Sequence, residues 1–148
     1  MNGALVSLIL AVIGGALIAV QAPTNAILGK ASGSPVVAAF YSFLIGTLAL
    51  GGTVAATSGR LFAPELKQVP WYAWLGGFYG AFFVAVLAFG APRVGVAVLL
   101  TAGIAGQLAA ALVLDHYGLL GLSQHQVTPV RVAGVALVLA GAMLVRRG

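Results

Sequence analysis

At 148 residues, with 61% of them hydrophobic, 6% charged and a mean hydropathy of +1.12, the chain lacks the polar side chains needed to coat a soluble fold. Its 7 Lys and Arg against 2 Asp and Glu give a formal charge of +5. The cations stand scattered at the ends of apolar runs, as at a lipid–water boundary, which argues against nucleic-acid binding. With no Cys, disulfides and thiolate–metal chemistry are excluded, and no metal site or cofactor is expected.

The first span is expected over residues 3–29. Met1-Asn2-Gly3 carries no cationic run ahead of it, so a cleaved signal peptide is not expected. At about 1.5 Å per residue the span exceeds a hydrocarbon core of about 30 Å and must tilt, kink or protrude, with Pro23 the natural kink. Gln21 and Asn25 are one turn apart and face the same way, along a stripe extended by Gly14 and Ser7. Their amides either bond neighbouring helices or the carbonyls freed by Pro23, or face a transported solute.

Ser34-Pro35 opens the second span, residues 34–57, by a cap followed by Pro at the first helical position. Its hydroxyls, Ser42 among them, are expected to bond back to their own helix, and Tyr41 is its one phenol. Residues 57–69, holding Arg60, Pro64, Glu65 and Lys67, form the most polar interval and the expected exposed loop.

The third span, 70–89, begins Pro70-Trp-Tyr-Ala-Trp. Trp71, Trp74, Phe78 and Phe82 make an aromatic stripe. Trp71 and Tyr72 suit the membrane interface, while Trp74 and Tyr79 sit deeper and could line a cavity. Gly90-Ala-Pro-Arg93 is read as a tight connection to the fourth span, 94–115.

That fourth span carries Gly103, Gly106 and Ala110 on one narrow face, suited to close approach of another helix. Gln107 and Asp115 lie about 80° apart on an adjoining arc. A carboxylate or amide on an apolar helix is costly unless paired, so these residues mark a structural pair or a site. His116 and His125, without Cys or enough carboxylates for a metal, read as surface residues of the following link. Thr128-Pro129 opens the fifth span, 128–146, closed by Arg146-Arg147, and Gly134 and Gly141 share a face seven residues apart. Arg131, one turn inside this helix on the membrane side of Asp115, is its expected ion-pair partner. No phosphate loop, catalytic triad or carboxylate pair is present, so the chain is not expected to be an enzyme.

Several of these segments together resemble the short YdcZ-like branch of the drug/metabolite transporter superfamily. They are Gln21-Ala-Pro-Thr-Asn25-Ala-Ile-Leu-Gly29, Ser42-Phe-Leu-Ile-Gly46-Thr-Leu, Trp74-Leu-Gly-Gly-Phe-Tyr-Gly80, Ala105-Gly-Gln-Leu with Leu114-Asp-His-Tyr-Gly-Leu-Leu-Gly121, and Arg131-Val-Ala-Gly134 with Gly141. The resemblance covers nearly the whole chain. It implies a multi-pass inner-membrane protein, an all-α bundle of five transmembrane helices equivalent to one repeat of a ten-helix transporter. Relatives occur as fused double-length chains and as separate short chains. The related small multidrug exporters carry a Glu in the first helix that binds substrate and protons in competition, and here Gly14-Gly15 stand in the middle of that helix.

The expected function is transport of a small molecule by alternating access, within membrane lipid, as a dual-topology antiparallel homodimer. Gln21, Asn25 and Gln107, with Tyr41 and Trp74, are the candidate substrate-binding residues. Asp115 and Arg131 are the candidate structural pair, and Gly134 and Gly141 the candidate dimer seam. The alternatives are a non-transporting accessory or assembly subunit, and half of a heterodimeric exporter.

Overall fold

A computed structural model describes residues 3–57 and 63–147. It is all-helical, with no strand among the described residues, and five of its helical stretches are long and apolar enough to cross a membrane. The α-helices are α1 (Gly3–Ser32), α2 (Pro35–Thr57), α3 (Gly76–Val94), α4 (Val96–Tyr117) and α5 (Pro129–Arg147). Arg60 and Ser58 lie outside the described residues, and the interval that follows forms an exposed 3₁₀ turn at Pro64–Gln68. A second 3₁₀ turn, Trp71–Leu75, runs straight into α3 and extends that apolar stretch to Trp71–Val94.

The chain divides into two compact units, Met1–Arg93 and Val94–Gly148. In the first, α1 and α2 form a tight antiparallel hairpin across Gly33, whose φ of +73° suits a residue with no Cβ. Ser34 starts α2 as a cap, its Oγ accepting the Val37 N–H at 3.4 Å. The seam is built of small residues: Ala22 and Ala38 are fully buried, Ala39 is nearly so, and a Cβ on Gly29 would touch Pro35 and Ala38. Small faces let two backbones approach, and in lipid it is this packing that holds helices together. Ala38→Leu should therefore overpack the seam and cost about 1–3 kcal/mol, seen as a lower melting temperature in detergent.

α1 passes through Pro23 without interruption. Pro lacks the N–H that would serve the carbonyl four residues earlier. Just beyond it, the Thr24 hydroxyl donates to the Val20 and Gln21 carbonyls, at 3.2 and 2.8 Å. α3 buries Val84, Leu87, Ala88, Gly90 and Ala91, and Gly80 brings its backbone close to Phe43 of α2. Residues 90–93, read from the sequence as a connection, are therefore helical. α3 continues through Pro92 to Val94, and the break falls at Gly95, with φ +83°. A Pro near a helix end loses only one hydrogen bond, so it is a weaker stop than the positive φ that Gly alone adopts readily.

In the second unit α4 packs antiparallel on α5. Val98, Ala102, Ala105, Gly106 and Ala109 of α4 line a groove also walled by Leu139 and Met143 of α5, and Ala105 is the buried residue among them. Of the Gly103–Gly106–Ala110 face, Gly106 lines this groove too, Gly103 is half-buried, and Ala110 is exposed. α4 is rich in Gly and Ala on every side, so residue size alone could not choose among its faces.

Candidate solute-binding site

The polar groups of the first unit gather along the α1–α2 seam. Gln21 Nε2 donates to Ser42 Oγ at 3.0 Å, a part-buried bond between the two helices. One turn further along α1, Asn25 is only 3% exposed, and its Nδ2 has no hydrogen-bond partner. The antiparallel register, Gln21 opposite Ser42 and Gly29 opposite Pro35 and Ala38, sets Asn25 across from the Ala38–Ser42 stretch. An unpaired buried donor costs about 1–3 kcal/mol. It marks a place where the chain keeps hydrogen-bonding capacity that its own fold does not use.

The other candidates are placed differently. Tyr41 is 49% exposed and meets Phe40 edge-on, and Trp74 is 60% exposed within the 3₁₀ turn before α3. Tyr79 and the stripe of Trp71, Phe78 and Phe82 are exposed as well, so the aromatic face points outward from the single chain. Gln107 lies on α4 in the second unit and is exposed. The structure thus brings Gln21 and Asn25 together, adds Ser42, and leaves Gln107, Tyr41 and Trp74 on open surface.

Ser42 was missed as a site residue because a helical Ser bonds its own turn by default. Ser7, Thr53, Thr57 and Thr101 do follow that default, each donating to the carbonyl four residues back. What could have singled out Ser42 is register: a hairpin turning at Gly33-Ser34 faces Gln21 with residues in the low forties.

In the second unit Arg131 Nη2 lies 2.7 Å from Asp115 Oδ2, with the two side chains 37% and 28% exposed. Arg131 Nη1 also donates to the His125 carbonyl, and the Asp115 carbonyl accepts the His125 N–H at 2.8 Å. Around this pair the α4–α5 link is hydrogen-bonded to itself. Gln124 Nε2 donates to the His116 carbonyl, the Val127 N–H donates to His116 Nδ1, and Thr128 Oγ1 accepts the Arg131 N–H as the α5 cap. Read from the sequence as surface residues, His125 is exposed and His116 half-buried, and both also bond within this link, His116 Nδ1 serving as an acceptor. Gly118, at φ +60°, ends α4 in the left-handed conformation that lets the link turn back.

A part-exposed pair falls between the about 0–1 kcal/mol of a surface pair and the about 3–5 kcal/mol lost on breaking a buried one. Arg131→Ala is expected to lower folded yield and melting temperature by an intermediate amount. Asp115→Asn should do likewise. Normal folding of Asp115→Asn with loss of transport would reassign the carboxylate from structure to coupling.

Gly134 and Gly141 of α5 have no atom within 4 Å of a Cβ built on either, and α5 buries none of its described residues. Neither Gly packs closely on α4, the other long helix of its unit. Among the described residues no cluster of His, Asp or Glu is fit to hold a metal.

A family model described as "Putative inner membrane exporter, YdcZ" matches residues 6–144. Searches of curated proteins and of solved structures return no significant match. With a match over nearly its whole length and five helices fit to cross a membrane, the chain belongs to the YdcZ family of inner-membrane exporters.

Proposed function

We propose that the chain exports a small neutral or weakly polar solute by alternating access, working as an antiparallel pair of oppositely inserted copies. The observation that carries the solute site is the buried, unpartnered Nδ2 of Asn25 beside the Gln21–Ser42 bond. An amide offers donors and an acceptor without the desolvation cost of a charge, so it suits a solute that is polar but not ionic. Gln107, Tyr41 and Trp74 stand open on the single chain and would join the site only where a second copy covers them.

The pairing rests on two further features. The cavities described in either unit are open grooves, whereas alternating access needs a path closed on all sides. Gly134 and Gly141 leave an uncovered small-residue face on α5, the first candidate for the seam.

The test is flux of a panel of small solutes from proteoliposomes, with wild type, Gln21→Leu, Asn25→Leu and Gln107→Leu compared at equal folded protein. Transport by wild type that falls in the amide variants supports the reading. Transport that ignores all three substitutions removes the amides from the site. A wild type inert to every solute, yet co-purifying with a second membrane protein, would favour the accessory-subunit alternative.

A further inference from the structure

The first unit holds an open cavity where α1 and α3 end and α2 begins, reaching along α1 as far as Ala26. It encloses about 520 Å³ and is lined by Gly29, Lys30, Gly33 and Pro35 together with Phe89 and Arg93. Two basic residues, both exposed, therefore contribute to one lining. Neither carboxylate of the chain relieves them: Asp115 is taken by Arg131, and Glu65 lies in the Pro64–Gln68 turn and does not line this cavity.

Each cation also has a simpler reading as a charge complementing a helix C-terminus. Arg93 fits it in part, since Nη1 donates to the Phe89 carbonyl. Its guanidinium also lies over the Phe89 ring, 3.7 Å from the centroid. That stacking fixes the guanidinium plane and leaves its other N–H groups unspent. Lys30, exposed in the last turn of α1, fits it as well, and its ammonium makes no hydrogen bond or ion pair among the described residues. The start of α2 at Pro35 adds a further positive dipole end to the same cavity. Like charges held around one space repel, and an anion between them converts that repulsion into charge-assisted hydrogen bonds.

We infer that this cavity is a phosphate-type oxyanion site, with Lys30 and Arg93 as its two cationic ligands. The ligand is the headgroup phosphate of an anionic phospholipid or a free oxyanion of the same chemistry. The depth suits a headgroup, because both cations close apolar spans, and basic pockets between membrane helices are known to hold such groups. The inference is independent of the amide site.

The experiment places wild type, Lys30→Gln, Arg93→Gln and, as a control, Lys67→Gln in phosphatidylcholine nanodiscs with increasing phosphatidylglycerol. Native mass spectrometry counts the lipids retained, and inorganic phosphate is titrated separately against the melting temperature in detergent. Wild type should retain phosphatidylglycerol over phosphatidylcholine, with Lys30→Gln and Arg93→Gln each weakened about tenfold and Lys67→Gln unchanged. Stabilisation by inorganic phosphate, lost in the same two variants, would assign the site to a free oxyanion as well; its absence assigns it to the lipid. Equal loss in all three variants means general surface attraction and overturns the site. So does wild type without anionic preference in either arm, or binding unchanged in both cavity variants. Should Arg93→Gln fail to fold for want of its Phe89 cap, Lys30→Gln decides alone, because Lys30 makes no bond that the fold uses.

Discussion

Asn25→Leu is expected to make the protein more stable and stop it transporting. Asn and Leu side chains branch at the same carbon and have the same number of heavy atoms, so the substitution keeps the α1–α2 seam filled, and the larger methyl groups of Leu offset part of any gain. What it removes is a buried donor without a partner, at 3% exposure. Relieving that deficit should return about 1–3 kcal/mol, a rise of several degrees in melting temperature. The same substitution leaves a polar group of the bound solute unpaired, for a loss of about tenfold or more in transport at limiting solute. A gain in stability with a loss of function separates a site residue from a structural one. Gln21→Leu is the companion: its bond to Ser42 is given up, but the Ser42 hydroxyl can turn to a carbonyl of its own helix. Little stability should be lost there while transport falls. If Asn25→Leu instead unfolds the protein, the amide is holding the two helices together and the solute site lies elsewhere.

Much of this was legible in the chain because lipid imposes simple demands. Every backbone group in a span must be satisfied within it, so long apolar runs are helices, and their caps show as Ser34-Pro35 and Thr128-Pro129. The proximity of Asp115 and Arg131 was legible too, since a lone carboxylate at one helix end has few cations within reach. Three features were not. A Pro at position 92 resembles a stop, yet α3 runs past it to Val94 because only one bond is lost there. The cavity at Lys30 and Arg93 depends on residues about sixty positions apart, and boundary cations look alike in sequence whether or not they share a space. Ser42 stayed hidden for the related reason that its partner sits on another helix.

Cysteines placed on the N-terminal side of the membrane should be labelled from both faces. With five spans the termini lie on opposite sides, and the seven cations divide almost evenly. Arg60, Lys67 and Arg131 fall on the N-terminal side, and Lys30, Arg93, Arg146 and Arg147 on the other. Orientation follows the Lys and Arg bias of the flanking segments, with acidic residues counting little, and a difference of one cation gives that bias nothing to act on. On the proposed function, insertion in both directions would supply two copies related as the halves of an inverted repeat, the arrangement that lets one site face each side of the membrane in turn. The native chain has no Cys, so a single introduced thiol reports cleanly. Ser123→Cys, in the exposed α4–α5 link, and Gln68→Cys, at the exposed end of the 3₁₀ turn, are suitable; Ser58→Cys would report on the same side from the segment outside the described residues. An impermeant maleimide should label each variant partly from outside intact cells, with the remainder reacting once the membrane is opened. Adding two cations to one side, as in Gln124→Lys with Gln126→Lys, should collapse the population to one orientation. Transport should then fall with it, and a copy biased the opposite way should restore it. Labelling from a single face in the unmodified background would overturn the two-way insertion and leave an oriented assembly, with a separate, oppositely biased chain as the second half.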